Sequence, residues 1–384
     1  MKASALKLWL SVLCALGVLA FPARAEFRGA WISTVYNLDW PSEGSSPAQQ
    51  KAELVRLLDA AQSLGLTDIF FQVRPEGDAL YRSSIEPWSR FLTGTQGKDP
   101  GYDPLALCIS EANKRGLRVH AWLNPYRASV KAGAQLASNH MARRFSSSAY
   151  KVGSVLCMDP GSLEVQDHVV RVVTDIASRY NVAGIHFDDY FYPYPPEGGR
   201  MNFPDTKTYD RYRGGGGRLD LGDWRRDNVN RLISRVSQAV KSARPGAVFG
   251  VSPFGIYTKG QPASVEAGLD QYNQIYADPL RWMRSGWVDY ISPQLYWRDQ
   301  SKQSFTELLK WWRSPSVNPR GVPVYRGIAA YRMSEKGWPA SEIVHQVALS
   351  RTVGKGPSGH VFFRMGTLAS NVKGLVTLLK KSGY

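Results

Sequence analysis

The chain has 384 residues, 43% of them apolar or aromatic, and a formal charge of +16. That length accommodates one (β/α)8 barrel of about 250 residues with long loops, or two smaller domains. The basic residues are dispersed and no nucleic-acid-binding signature accompanies them, so the charge points away from nucleic acid and toward an anionic polymer as partner.

Met1 to Ala25 reads as an export leader. Lys2 and Lys7 precede or flank the start of the apolar run Leu8–Phe21, and Ala23-Arg24-Ala25 fits the small-x-small rule for cleavage after Ala25. The run is short for a membrane span, and no later segment approaches the roughly 20 apolar residues that crossing requires, so no transmembrane segment is expected. Leu13 before Cys14 makes a poor lipobox, which argues against a lipid anchor. The expectation is a periplasmic mature chain, residues 26–384, whose charge is +13 once Lys2, Lys7 and Arg24 are taken from +16. Export leaves Cys108 and Cys157, either bridged or as two buried thiols.

After the leader, short apolar runs alternate with stretches of helical period, the pattern of a (β/α)8 TIM barrel with long βα loops built from residues 26–384 as one domain. Strands are predicted at Phe27–Ser33, Asp68–Arg74, Leu117–Asn124, Gly184–Asp188, Val248–Ser252, Tyr290–Tyr296, Val324–Ala329 and His360–Arg364. Helices are predicted at Pro47–Leu64, Pro104–Arg115, Leu163–Tyr180, Asp223–Ala243, Pro279–Ser285, Ser304–Arg313, Glu342–Val353 and Asn371–Lys381. Long loops are expected over Pro75–Asp103, Pro125–Gly161 and Tyr190–Gly222, lengths that in a compact domain are often functional.

Alternation along the strands separates two faces. In the fourth, Ile185 and Phe187 oppose His186 and Asp188; in the third, Val119, Ala121 and Leu123 oppose His120, Trp122 and Asn124. One face must pack on helices, so the polar set is expected to face the barrel axis, toward the C-terminal end where such barrels build their sites. There Asp188 and Asp189 are the strongest catalytic pair, because glycosidic cleavage needs an acid for the leaving oxygen and a second group to attack. Glu76, in Arg74-Pro75-Glu76-Gly77-Asp78, leaves the second strand on the parity of Gln72 and Arg74 and is the expected further carboxylate. Trp31, Trp122, Tyr126, Tyr190, Tyr296 and Trp297 are expected to offer stacking faces for sugar rings. Gln72, Arg74, His120, Asn124, Arg127, His186 and Gln294 would bind hydroxyls. The six histidines show no metal-binding spacing, and no nucleophile elbow or phosphate-cradling loop is present, so neither metal nor cofactor is expected.

Five segments carry a resemblance: Phe27-Arg28-Gly29-Ala30-Trp31, Phe71-Gln72-Val73-Arg74-Pro75-Glu76-Gly77-Asp78-Ala79, Ala121-Trp122-Leu123-Asn124-Pro125-Tyr126-Arg127, Gly184-Ile185-His186-Phe187-Asp188-Asp189-Tyr190 and Ser292-Pro293-Gln294-Leu295-Tyr296-Trp297. In this order they resemble the glycosyl-hydrolase-like family ten. The resemblance implies a (β/α)8 barrel acting on bacterial envelope glycan, including peptidoglycan strands stripped of stem peptides, with the family's fourth-strand acidic pair falling on Asp188 and Asp189. Family members can be outer-membrane lipoproteins, and Ala23-Arg24-Ala25 departs from that. The competing reading is a saccharide-binding barrel without catalysis, which would keep the aromatic ring and need no second acid.

Overall fold

The computed structural model describes residues 26–196, 199, 202–353 and 359–384, and the predicted leader with Cys14 lies outside them. Eleven strands follow in chain order: β1 (Phe27–Ile32), β2 (Asp68–Arg74), β3 (Arg118–Leu123), β4 (Arg127–Ser129), β5 (Ala149–Val152), β6 (Val155–Met158), β7 (Gly184–Phe187), β8 (Val248–Val251), β9 (Tyr290–Ile291), β10 (Arg326–Ile328) and β11 (Gly359–Phe362). Eight form one parallel sheet in the order β10-β11-β1-β2-β3-β7-β8-β9. Bridges from Ile291 to Val324 and from Gln294 to Gly327 join β9 back to β10, so the sheet curls round on itself as a TIM barrel.

The alternation read from the sequence is what closes the barrel. Ile69, Phe71, Ala121, Ile185, Phe187 and Phe249 face outward and are buried with residues of the surrounding helices, among them Leu54 and Leu58 of Pro47–Ser63, Val169 and Val173 of Leu163–Arg179, and Leu232 and Val236 of Leu221–Ala243. Burying each large apolar side chain of this kind contributes about 1.5–3 kcal/mol. The opposite face fills the lumen with Phe27, Trp31, Phe70, Trp122, Tyr290 and Val361. Two glycines make room for this layer. A Cβ on Gly250 would run into the Tyr290 ring, and one on Gly184 would meet His120 Nδ1 at 2.7 Å.

Three departures from the sequence reading bear on the site. The sixth strand ends at Ile291 rather than Tyr296, because Pro293 has no N–H for the ladder and the chain turns into the barrel mouth. Between β2 and β3 the register slips: Gln72 pairs with Trp122 but Arg74 pairs with Leu123, leaving Val73 as an extra residue. The loop after β3 carries a three-stranded antiparallel sheet, β4-β6-β5, and the loop after β7 carries a helix, Thr206–Gly214. Cys108 and Cys157 are buried free thiols, and burial pushes both up, Cys157 to about 12. Among the described residues no helix is long and apolar enough to cross a membrane.

Candidate active site

A cleft of about 330 Å³ opens at the C-terminal ends of the strands. All eight barrel strands or the loops leaving them supply its lining, including Trp31 from β1, Gln72 from β2, Trp122 from β3, Asp188 and Asp189 after β7, Ser252 after β8 and Gln294 after β9. Tyr296 and Trp297 line it where the chain turns in after Pro293, and Tyr190 and Arg127 stand at its β3–β7 side. Tyr36, Tyr194, Phe254, Tyr331, Arg332 and Phe363 also line the cleft, although the sequence reading did not single them out. Tyr194 belongs to the long loop expected over Tyr190–Gly222; Phe254, Tyr331 and Arg332 lie beyond predicted strand ends, where alternation no longer tells direction.

The β7 strand ends at Phe187, so Asp188 keeps lumen parity while Asp189 begins the loop. Asp188 is surrounded by obligate donors. Its Oδ2 accepts from Trp122 Nε1 at 3.2 Å and from Asn124 Nδ2 at 2.5 Å, and its Oδ1 accepts from the Tyr190 backbone N–H at 3.2 Å. The Asn124 amide is oriented from behind: Gln72 Nε2 donates to Asn124 Oδ1 at 2.7 Å, while Gln72 Oε1 accepts the backbone N–H groups of Thr34 and Val35 at 2.9 Å each. A chain of amides running from the β1 loop therefore fixes which atom Asn124 presents to the carboxylate. Burial pushes Asp188 up, opposed by the Arg127 charge and by these donors.

Asp189 differs. It accepts a hydrogen bond from the Tyr194 hydroxyl and lies against the Gln294 amide, which also donates to the Ser252 carbonyl at 3.0 Å. Burial, and next the neighbouring Asp188 charge, raise Asp189 to about 7. The pair thus couples a carboxylate held by N–H donors to a carboxyl that still carries its proton near neutrality, the division of labour that acid–base chemistry uses. Among the described residues no three His, Cys, Asp or Glu side chains gather around a common point as metal ligands do.

The sequence model of the family Glycosyl hydrolase-like 10 matches residues 26–340. The chain belongs to this family. Glycosyl hydrolase YngK of Bacillus subtilis is 38% identical over 370 residues, covering 94% of this chain and 72% of YngK. Glycosyl hydrolase DigH of Escherichia coli is 42% identical over 330 residues, covering 80% of this chain and 74% of DigH. In fold the chain is similar to the glycoside hydrolase domain of PgaB (BpsB) from Bordetella bronchiseptica, with a TM-score of 0.58 at 13% identity over 91% of this chain and 99% of that domain. As a member of the glycosyl hydrolase-like 10 family, the protein is a glycosidase built on a TIM barrel.

Not every residue expected at the site of this glycosyl hydrolase-like 10 barrel reaches it. His186 lies one layer below the cleft, buried in the lumen. Trp31 Nε1, which can only donate, points at His186 Nε2 at 3.2 Å, so Nε2 is the acceptor and Nδ1 carries the proton toward the Tyr290 hydroxyl at 2.9 Å. Burial, with the His120 charge behind it, holds His186 well below its ordinary value and keeps it neutral. His120 is deeper still, its Nε2 2.9 Å from Asp68 at the start of β2. Both histidines brace the barrel interior instead of lining the cleft.

Glu76 and Arg74 are displaced by the Val73 bulge. Glu76 is clamped by Arg90 Nε at 2.8 Å and by the Val130 backbone N–H and Ser129 hydroxyl, under the β4 strand. Arg74 is fully buried in an ion pair with Glu86 at 2.5 Å and also holds the Asn124 carbonyl. Tyr126 follows Pro125 into the core and is fully buried. None of these three lines the cleft.

Proposed function

We propose that this glycosidase cleaves peptidoglycan-type glycan strands, denuded of stem peptides, in the periplasm after export. One observation carries the reading: Asp188 and Asp189 are the only carboxylates lining the cleft among the described residues. A mechanism with two protein carboxylates places them on opposite sides of the bond, about 5 to 9.5 Å apart. Adjacent residues at one strand end serve a different arrangement, in which the substrate supplies the nucleophile.

In that arrangement the proton of Asp189 passes to the glycosidic oxygen as the C1–O bond breaks, and the acetamido carbonyl oxygen of the same sugar bonds to C1. Asp188, whose oxygens take Trp122, Asn124 and the Tyr190 N–H as donors, accepts the acetamido N–H as well and aligns it. Water then attacks C1, opens the ring that the acetamido group had closed, and returns a proton to Asp189. The scheme requires an N-acetylated sugar, which favours an amino-sugar glycan. The aromatic lining fits pyranose faces, the charge of +13 on residues 26–384 suits an anionic envelope, and the leader-like start of the chain supports export.

The test is release of reducing ends from amidase-treated peptidoglycan by the purified protein. Wild type should release them, and Asp188→Asn, shown folded by circular dichroism, should not. Equal release by both would remove the acid pair from the mechanism. Glycan captured but left uncut by wild type would return the non-catalytic saccharide-binding reading.

A further inference from the structure

The cleft does not end at the acid pair. A second compartment of about 370 Å³ adjoins it and shares Tyr36, Arg127, Tyr190 and Tyr194 with the first. Its own walls are largely apolar, formed by Val130, Val152 and Val155 of the small antiparallel sheet region facing Pro193 and Pro195 of the loop after β7. Arg127 therefore stands at the saddle between an acidic compartment and an apolar one.

The state of Arg127 is unusual for a buried cation. Only 8% of it is exposed, its Nε is spent on the Pro75 carbonyl at 2.9 Å, and its guanidinium lies over the Tyr190 ring at 4.9 Å. Its Nη2 is buried with no hydrogen-bond partner, and among the described residues it enters no ion pair. Asp188 is near enough to feel its charge, but no hydrogen bond or ion pair joins the two among the described residues, and the donors that this carboxylate does take are Trp122, Asn124 and Tyr190. A desolvated guanidinium without a bidentate acceptor is costly, and a planar anion completing its fork relieves that cost.

We propose that Arg127 is a specificity-determining residue that reads a free carboxylate carried by the glycan. Resting on the glycan-strand reading above, the group it takes is a carboxylate on a short apolar stem, such as the 3-O-lactyl ether of an N-acetylmuramic unit. The carboxylate meets the Arg127 fork while the methyl group enters the Val130–Pro193 compartment. A peptide attached there turns the carboxylate into an amide, which removes the charge that the fork recognises.

The experiment measures KM and kcat for reducing-end release from two glycans, peptide-free strands with free lactyl carboxylates and the same strands with those carboxylates converted to primary amides. For wild type, amidation raises KM roughly 10- to 100-fold with little change in kcat, the range expected for charge-assisted hydrogen bonds. R127Q raises KM on the free acid by a similar factor and no longer responds to amidation. R127K, which keeps the charge without the fork, falls between. Equal KM of wild type on both glycans, or an R127Q enzyme still sensitive to amidation, would overturn the proposal. If wild type cleaves neither glycan, the glycan-strand reading fails, and calorimetric binding of both by wild type decides the carboxylate claim alone: preference for the free acid upholds it and equal binding overturns it.

Discussion

Two carboxylate clusters stand beyond strand ends of one barrel, and only one of them opens onto a cavity. After β2, Glu76 and Asp78 are buried beneath the loops, Glu76 gripped by Arg90 and Asp78 fully enclosed. After β7, Asp188 and Asp189 are equally withdrawn from bulk water but form part of the cleft lining. Burial, with a neighbouring carboxylate adding to it, raises Asp78 to about 7, as it raises Asp189. A perturbed carboxyl alone therefore does not mark a site. What separates the two clusters is access together with polarity: Asp188 faces donors that fix a carboxylate, whereas Glu76 is neutralised by an arginine that closes it in.

The largest effect that could break this contrast is on turnover. Asp188→Asn and Asp189→Asn should each lower kcat for reducing-end release about 10³-fold or more, within the range of lost acid–base groups. Asp78→Asn should stay within about threefold of wild type. A comparable loss in Asp78→Asn would mean that the sealed cluster takes part in the chemistry.

The sealed side should instead report in stability. Burial works against the Glu86 charge, but Arg74 and His168 more than offset it and hold the carboxyl well below the ordinary range. Glu86→Ala leaves Arg74 buried without its partner and should cost about 3–5 kcal/mol in urea unfolding. A loss below about 1 kcal/mol would show that Arg74 finds other acceptors.

pH sharpens the comparison, because the two raised carboxyls are alike in thermodynamics and unlike in use. Each binds its proton more tightly folded, near 7, than unfolded, near 3.9, so each lowers stability as pH rises between those values. Asp78→Asn and Asp189→Asn should both gain thermal stability over wild type, by a few °C at pH 8 and little at pH 4. Only the open cluster should appear in the rate: kcat/KM should fall as pH rises through about 7, where Asp189 loses the proton it donates. The smallest effect is at the rim. Tyr190→Ala removes the ring over Arg127 and should raise KM about 3- to 10-fold with kcat nearly held.

The contrast also explains how far the sequence could be read. Period-2 alternation places Asp188, Trp122 and Gln72 on the lumen face, and the β7, β3 and β2 strands carry them there. Parity gives a face but no height along the axis, so it groups His120 and His186 with residues one or two layers above them. Glu76 shares the parity of Gln72 in the sequence, and the single extra residue at Val73 turns it aside. Tyr296 and Trp297 reach the cleft although Pro293 ends their strand, because the chain turns inward after it. The β4–β6 sheet was not legible, since its strands are three or four residues long and depend on a partner across a loop. The second compartment, built partly on that sheet, was hidden for the same reason.

The most direct test of the account is mass spectrometry of the products that wild type forms from peptide-free glycan in ¹⁸O-labelled water. Hydrolysis by the Asp188–Asp189 pair should place one ¹⁸O at each new reducing end and lose that product in Asp189→Asn. Intact glycan, or new ends that are anhydro sugars without label, would contradict it.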